Sequence, residues 1–221
     1  MLKKLVGAEN FYLGMSETDY RLTKKAYDIL QNGPARTPGL REIQEADAAF
    51  VLGEDVTNTA PMVALYLRQV VKTQPREAAM NQAGIPDWQE LALQHATYNQ
   101  YGPLYIATQH ETKLDDVAKA TFQTNNEAIA RLGHAVAHNI HSSAPAVEGL
   151  TVEEQAKAQE IAESLKNAKR PMVVSGTSSG SEAIMEAAAN IAYALCTEEN
   201  RAELCLTVPE ANSMGLAIMD G

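Results

Sequence analysis

Four short apolar runs, separated by stretches of amphipathic helical pattern, constrain the fold of this chain more than any other feature. They are AAFVL at 48–52, LYIAT at 104–108, MVV at 172–174 and LCLT at 204–207. Each is too short for a stable helix and does not alternate with polar residues, which is the pattern of a strand covered on both faces. Helical spacing fills the intervals. A helix near 40–45 leads into the first run, and one over 60–73 follows it, with Pro61 in its first turn and Val63, Leu67 and Val70 on one face. A helix around 87–95 precedes the second run through the turn Tyr101-Gly102-Pro103. Further helices are predicted over 127–141, with Ile129, Leu132, Val136 and Ile140 on one side, and over 151–167, opened by the capping-box pattern Thr151-Val152-Glu153-Glu154. A last helix, 181–196, with the Ser181 hydroxyl expected as its N-cap, packs through Ile184, Ala187, Ala188 and Ile191, and a loop over 209–221 ends the chain. Strand and helix in alternation predict an α/β fold, doubly wound, with a largely parallel sheet and helices on both faces.

At 221 residues and 45% hydrophobic, the chain can bury a core of one large domain or two small ones. Aromatics are few, with 3 Phe, 8 Tyr and the single Trp88, so aliphatic residues must do most of the packing. The formal charge is -10, and Lys3, Lys4, Lys24, Lys25, Lys169 and Arg170 are scattered, which argues against nucleic acid as a partner. No apolar run is long enough to span a bilayer, and residues 1–12 lack a signal-peptide core, so a soluble chain without direct membrane insertion is expected. Cys196 and Cys205 have no C-x-x-C spacing and read as reduced, buried thiols.

Ligands of a parallel α/β sheet lie beyond the carboxyl ends of its strands, so the loops 53–60 and 175–181 carry most interest. The second, Ser175-Gly176-Thr177-Ser178-Ser179-Gly180-Ser181, is either an anion cradle of backbone N–H groups or a tight turn that needs small residues. It lacks both a P-loop lysine and the G-x-G-x-x-G spacing. The first, GEDVTNTAP at 53–61, places Glu54 and Asp55 where neutral donors would serve a phosphate. At about 4 Å and an effective dielectric near 20, each carboxylate–phosphate pair opposes binding by roughly 4 kcal/mol. A cation site would need a third carboxylate nearby in sequence, and none is present. His134, His138 and His141 share one helical stripe, opposite the apolar face, and are expected to meet solvent or a partner without holding a native metal. His95 and His110 have no partner set, G-x-S-x-G does not occur, and no catalytic residue is visible.

Read together, these loops resemble the molybdopterin oxidoreductase superfamily. Gly53 and Pro61 stand at the ends of that superfamily's G-S-N-P-x-x-x-x-P run, whose central Ser-Asn-Pro is lost here. The segment 171–175 with Gly176 and Gly180 resembles its second Gly-rich loop, and Asn212-Ser213-Met214-Gly215 its N-x-x-G turn. TKLDDVA at 112–118 resembles the stretch after the central strand, and Asn125 or Asn126 stands where the guanine-reading Asp belongs. A closer similarity, over nearly the whole chain, is to the large iron-sulfur subunit of bacterial NADH-quinone oxidoreductases, the respiratory complex I enzymes. It is carried by ENFYLG at 9–14, VLGEDVTNTAP at 51–61, SAPAV at 143–147, SGTSSGS at 175–181 and NSMGLAIM at 212–219.

That resemblance implies a molybdopterin-type (formate dehydrogenase-like) domain without cofactor, its loops vestigial at Gly53, Glu54, Asp55, Asn58, Ser175, Gly176, Gly180, Asn212 and Gly215. It implies that 1–221 is a piece of such a domain, excised from a chain whose N-terminal part holds the iron-sulfur clusters and whose C-terminal remainder is absent. It also implies other peripheral-arm subunits and the rest of its own chain as partners, a peripheral place on the cytoplasmic side of the bacterial inner membrane, and a translocase activity that belongs to the assembly. The rival reading is a redox domain that still binds a molybdopterin dinucleotide. A third is a stand-alone nucleotide module, which would need a complete phosphate-loop signature. The three vestigial loops are expected to converge on one pocket.

Overall fold

The computed structural model describes residues 2–12, 14–197 and 201–219. Leu13 of the ENFYLG string and the closing Asp220 and Gly221 lie outside the described residues. Among the described residues five strands form one all-parallel sheet: β1 (Ala48–Leu52), β2 (Leu104–Thr108), β3 (Ala120–Gln123), β4 (Pro171–Gly176) and β5 (Glu203–Thr207). Their order is β3-β2-β1-β4-β5, so β1 is central. In register, Val51 lies between Ile106 of β2 and Val174 of β4, and Val174 is followed across the sheet by Cys205 of β5.

The helices are α1 (Leu2–Val6), α2 (Glu17–Asn32), α3 (Val56–Thr59), α4 (Pro61–Ala83), α5 (Glu90–Ala96), α6 (Asn126–Ile140), α7 (Val152–Lys166), α8 (Glu182–Leu195) and α9 (Ser213–Ile218). Alternate strand residues divide the core. Phe50, Leu52, Tyr105, Val173 and Leu204 pack with Leu22 of α2, Ile129 and Val136 of α6, Ile161 of α7 and Ile184 and Ile191 of α8. Ala49, Val51, Ile106, Met172 and Val174 face the other way, against Val56 of α3, Val63, Leu67 and Val70 of α4, and Ile43. Both faces of the central strands are therefore dry, which is why β1 and β2 read as continuous apolar runs. The doubly wound α/β architecture expected from sequence is the one observed.

Several elements differ from expectation. β3 is an added edge strand whose residues alternate between half-buried and exposed, because one of its faces meets solvent. α2 is likewise absent from the helices expected. The helix expected near 40–45 is a single 3-10 turn at Glu42–Glu45. The helix expected over 60–73 continues through Pro75 to Ala83 and stops at Gly84, whose φ of 64° is left-handed. The helix expected around 87–95 is Glu90–Ala96. The closing loop contains α9, which lies against α2.

Candidate ligand crevice at the strand ends

From β1 the chain crosses to β2 on one side, and from β4 it crosses to β5 on the other. The β1/β4 boundary is thus the point where winding reverses, and an open α/β sheet has its crevice there, beyond the strand carboxyl ends. The loops entering it are those carrying Glu54 and Ser178.

Gly53 follows β1 with φ 65°, a left-handed conformation that suits glycine, and a Cβ there would lie 2.8 Å from the Ile184 side chain. The turn sends Glu54 inward, where it is 1% exposed. Its Oε2 accepts the Ser178 hydroxyl at 2.8 Å and the Ser178 backbone N–H at 3.3 Å. Its Oε1 is buried and has no partner among the described residues. Gly176 makes the room: a Cβ at that position would stand 2.3 Å from Glu54 Oε2 and 1.9 Å from Thr207 Oγ1. Ser175 closes the floor, its hydroxyl donating to the Leu52 carbonyl at 2.9 Å across β1 and β4.

Glu54 therefore does not repel ligands from the rim, as the sequence suggests; it fills the space between the two loops. The reason is directional, since the left-handed turn at Gly53 aims the side chain at donors in the opposite loop. Asp55 points elsewhere and caps α3, accepting from the Thr57 N–H at 3.1 Å and from Asn58 Nδ2 at 2.6 Å. Asn58 is consequently exposed and bonded within its own loop. Gly180, with φ 69°, is exposed on the rim.

Asn125 and Asn126 also separate. Asn125 caps α6 by accepting the Ala128 N–H at 2.9 Å. Asn126 donates to the Ser179 carbonyl at 2.9 Å and accepts from Gln109 Nε2 at 2.5 Å, which ties the ends of β2, β3 and β4 together. Asn212 and Gly215 belong to the start of α9 and do not enter this hydrogen-bonded set. Ser181 precedes α8 without a side-chain capping bond, unlike the expectation that its hydroxyl caps that helix. Ser178 acquires its role only in three dimensions; no sequence signal tells which hydroxyl of the loop meets Glu54.

Both cysteines are free and half-buried, less enclosed than expected. Burial pushes the Cys205 thiol up to about 11, with the Glu54 carboxylate adding to the effect. The histidine stripe is free only in part: His134 and His138 are half-buried on α6, which packs against α7 and α8, whereas His141, just beyond the helix, is exposed. His134 is half-buried with Nδ1 3.3 Å from Asn190 Nδ2, and burial holds it below its ordinary value. His138 Nδ1 meets the Ala144 carbonyl at 2.8 Å and His141 Nδ1 meets Ser143 Oγ at 2.6 Å. Among the described residues no group of three or more His, Cys, Asp or Glu could hold a metal ion.

No protein-family model matches the chain. The G subunit of NADH-quinone oxidoreductase from Pseudomonas fluorescens is 45% identical to it over 220 residues, that of Pseudomonas putida 48%, and that of Escherichia coli K12 42%. Each alignment covers 100% of this chain and 24% of the relative, so the chain spans about a quarter of the length of the curated relatives it matches. Among solved structures, a chain of the formyltransferase/hydrolase complex of Methylorubrum extorquens, solved with methylofuran, aligns at a TM-score of 0.46 and 12% identity, over 88% of this chain and 45% of that one.

Proposed function

The chain belongs to the family of NADH-quinone oxidoreductase G subunits, in which it corresponds to one region of a longer polypeptide, and on that premise we propose that it is a structural, cofactor-free α/β domain of that polypeptide. The observation that carries this reading is the position of Glu54. A pterin dinucleotide in this architecture would need its pyrophosphate near the β1/β4 switch point, on neutral donors. Here the chain's own carboxylate takes the Ser178 donors, and it is itself nearly inaccessible. The residues present therefore do not fit the cofactor that the superfamily resemblance implies.

On this reading the domain contributes surface and rigidity, and its partners are the rest of its own chain and neighbouring peripheral-arm subunits. Electron transfer from NADH through iron-sulfur clusters to quinone, coupled to proton translocation, belongs to the assembly, and the isolated piece has no activity. Its place is peripheral, on the cytoplasmic side of the bacterial inner membrane; no helix among the described residues is long and apolar enough to cross a membrane.

The rival is a domain that still binds a molybdopterin dinucleotide, favoured by the small residues of the loop 175–181. Calorimetric titration with the pterin dinucleotide and with guanine nucleotides decides between them, supported by elemental analysis for molybdenum, tungsten and iron. The expected result is no binding and no metal. Micromolar affinity would replace the structural reading with the rival.

A further inference from the structure

We infer that the arm formed by residues 84–101, which carries α5, is a protein-docking surface, and that its occupant is another part of the longer G-subunit polypeptide. The inference rests on the structural role proposed above and deepens it by naming the surface and the partner.

Trp88, Leu91 and Tyr98 are 79%, 75% and 76% exposed. On a helical projection they fall in one sector of α5 and its flanking turns, opposite Leu93, the one buried residue of that helix. One side of α5 therefore packs chiefly on α4, and the other turns an apolar face to solvent. The chain has a single Trp and 8 Tyr, and it places Trp88, Tyr98 and Tyr101 in this exposed arm. Trp and Tyr gathered in this way are what anchors a protein interface.

Charge is depleted in the same place. From Trp88 to Pro103 the only Asp, Glu, Lys or Arg is Glu90, in a chain that is 21% charged. Glu90 is itself neutralised, since Arg76 Nη1 lies 2.7 Å from its Oε2, while Arg76 Nη2 lies 2.8 Å from Asp87 Oδ1. A solvent-facing arm has no need of such depletion. The centre of an interface does, because a charge desolvated there without a partner is costly. The arm is also held in shape in advance: Arg76 ties α4 to both acids, Thr97 Oγ1 donates to the Leu93 carbonyl at 2.8 Å, and the Gly102 N–H reaches the Val71 carbonyl at 2.6 Å. A surface ordered beforehand loses little entropy on docking.

Charge and chain length select the occupant. A second copy would bring a formal charge of -10 towards another of -10, and that repulsion opposes self-association. The aligned region takes up 24% of each G-subunit relative, so roughly three quarters of such a polypeptide lies outside it. A segment joined covalently meets the arm at an effective concentration up to the millimolar range, which makes an apolar stripe of this size sufficient. Its contact surface should be uncharged and apolar, with acceptors for the Trp88 indole N–H and the Tyr98 hydroxyl.

The experiment uses the full-length polypeptide that carries this region, alone and in the assembled oxidoreductase, with a benzophenone amino acid replacing Leu91 or Tyr98 in turn. Both positions are exposed, so neither replacement disturbs the core. Photo-cross-linked peptides are identified by mass spectrometry. The expected result, at both positions, is cross-links to peptides of the same polypeptide outside these 221 residues, with a yield unchanged by tenfold dilution. Cross-links to a second copy, whose yield falls on dilution, overturn the inference. So do cross-links only to other subunits, and so does the absence of cross-links at both positions. Pterin dinucleotide binding in the calorimetric titration is a separate result that overturns the cofactor-free reading alone.

Discussion

The backbone carbonyl of Val71 accepts the N–H of Gly102 at 2.6 Å. Pro75 lies four residues after Val71 in α4 and has no N–H to give it, so a carbonyl freed inside a helix is used to fasten the turn that feeds β2. Gly102 is buried, and a Cβ there would stand 3.2 Å from that same oxygen. Gly102→Ala should therefore cost about 1–3 kcal/mol through crowding. It should appear as a lower urea midpoint with an unchanged slope, and a midpoint equal to that of the unaltered chain would show that the turn yields freely.

The two helix starts singled out by sequence should respond differently to truncation. Thr151 Oγ1 accepts the Glu154 N–H at 3.2 Å while Glu154 Oε2 accepts the Thr151 N–H at 2.8 Å, completing the capping box of α7. Thr151→Ala should cost about 0.5–2 kcal/mol. Ser181 makes no such bond, and Ser181→Ala should stay within about 0.5 kcal/mol of the unaltered chain. Equal losses in chemical denaturation would contradict the difference between the two caps.

Cys205 should be slow to alkylate while the protein is folded. Its thiol is pushed from 9.0 to about 11 by burial and by Glu54, so at pH 8 the thiolate is on the order of a hundredfold scarcer than in the unfolded chain. The fold favours the protonated form, so this group's contribution to stability is present below pH 9 and lost as pH rises through about 11. Mass-resolved iodoacetamide labelling should show Cys205 reacting faster in urea, and somewhat faster in folded Glu54→Gln. Equal rates in all three states would remove the electrostatic link.

His134 should add to acid sensitivity. Burial holds its pKa below 6.5, opposed weakly by Glu186, so the fold prefers the neutral ring. Its contribution is then present above pH 6.5 and lost as pH falls through the lower folded value. The melting temperature should drop less between pH 7.5 and 5.0 in His134→Gln than in the unaltered chain. An identical drop would assign the acid sensitivity to other groups.

Much of the architecture was legible because it depends on local pattern. β1 and β2 sit between two layers of helices, so AAFVL and LYIAT had to be apolar throughout, and their bounds are those the runs predict. Thr151 and Glu154 form a cap from four consecutive residues, which sequence spacing alone can specify. β3 was not legible, since ATFQ at the sheet edge buries one face only and carries no continuous apolar run.

The crevice depended on the tertiary structure. The acids at 54 and 55 were evident from the sequence, and their opposition to phosphate follows from charge. Whether Glu54 would face solvent at the rim or lie inside was decided by the left-handed turn at Gly53, the missing Cβ at Gly176 and the donors of Ser178, which lies 124 residues away in the chain. A charge acts through distance, direction and the groups that solvate it, and for Glu54 all three are supplied by a loop that becomes its neighbour only when β1 and β4 pair.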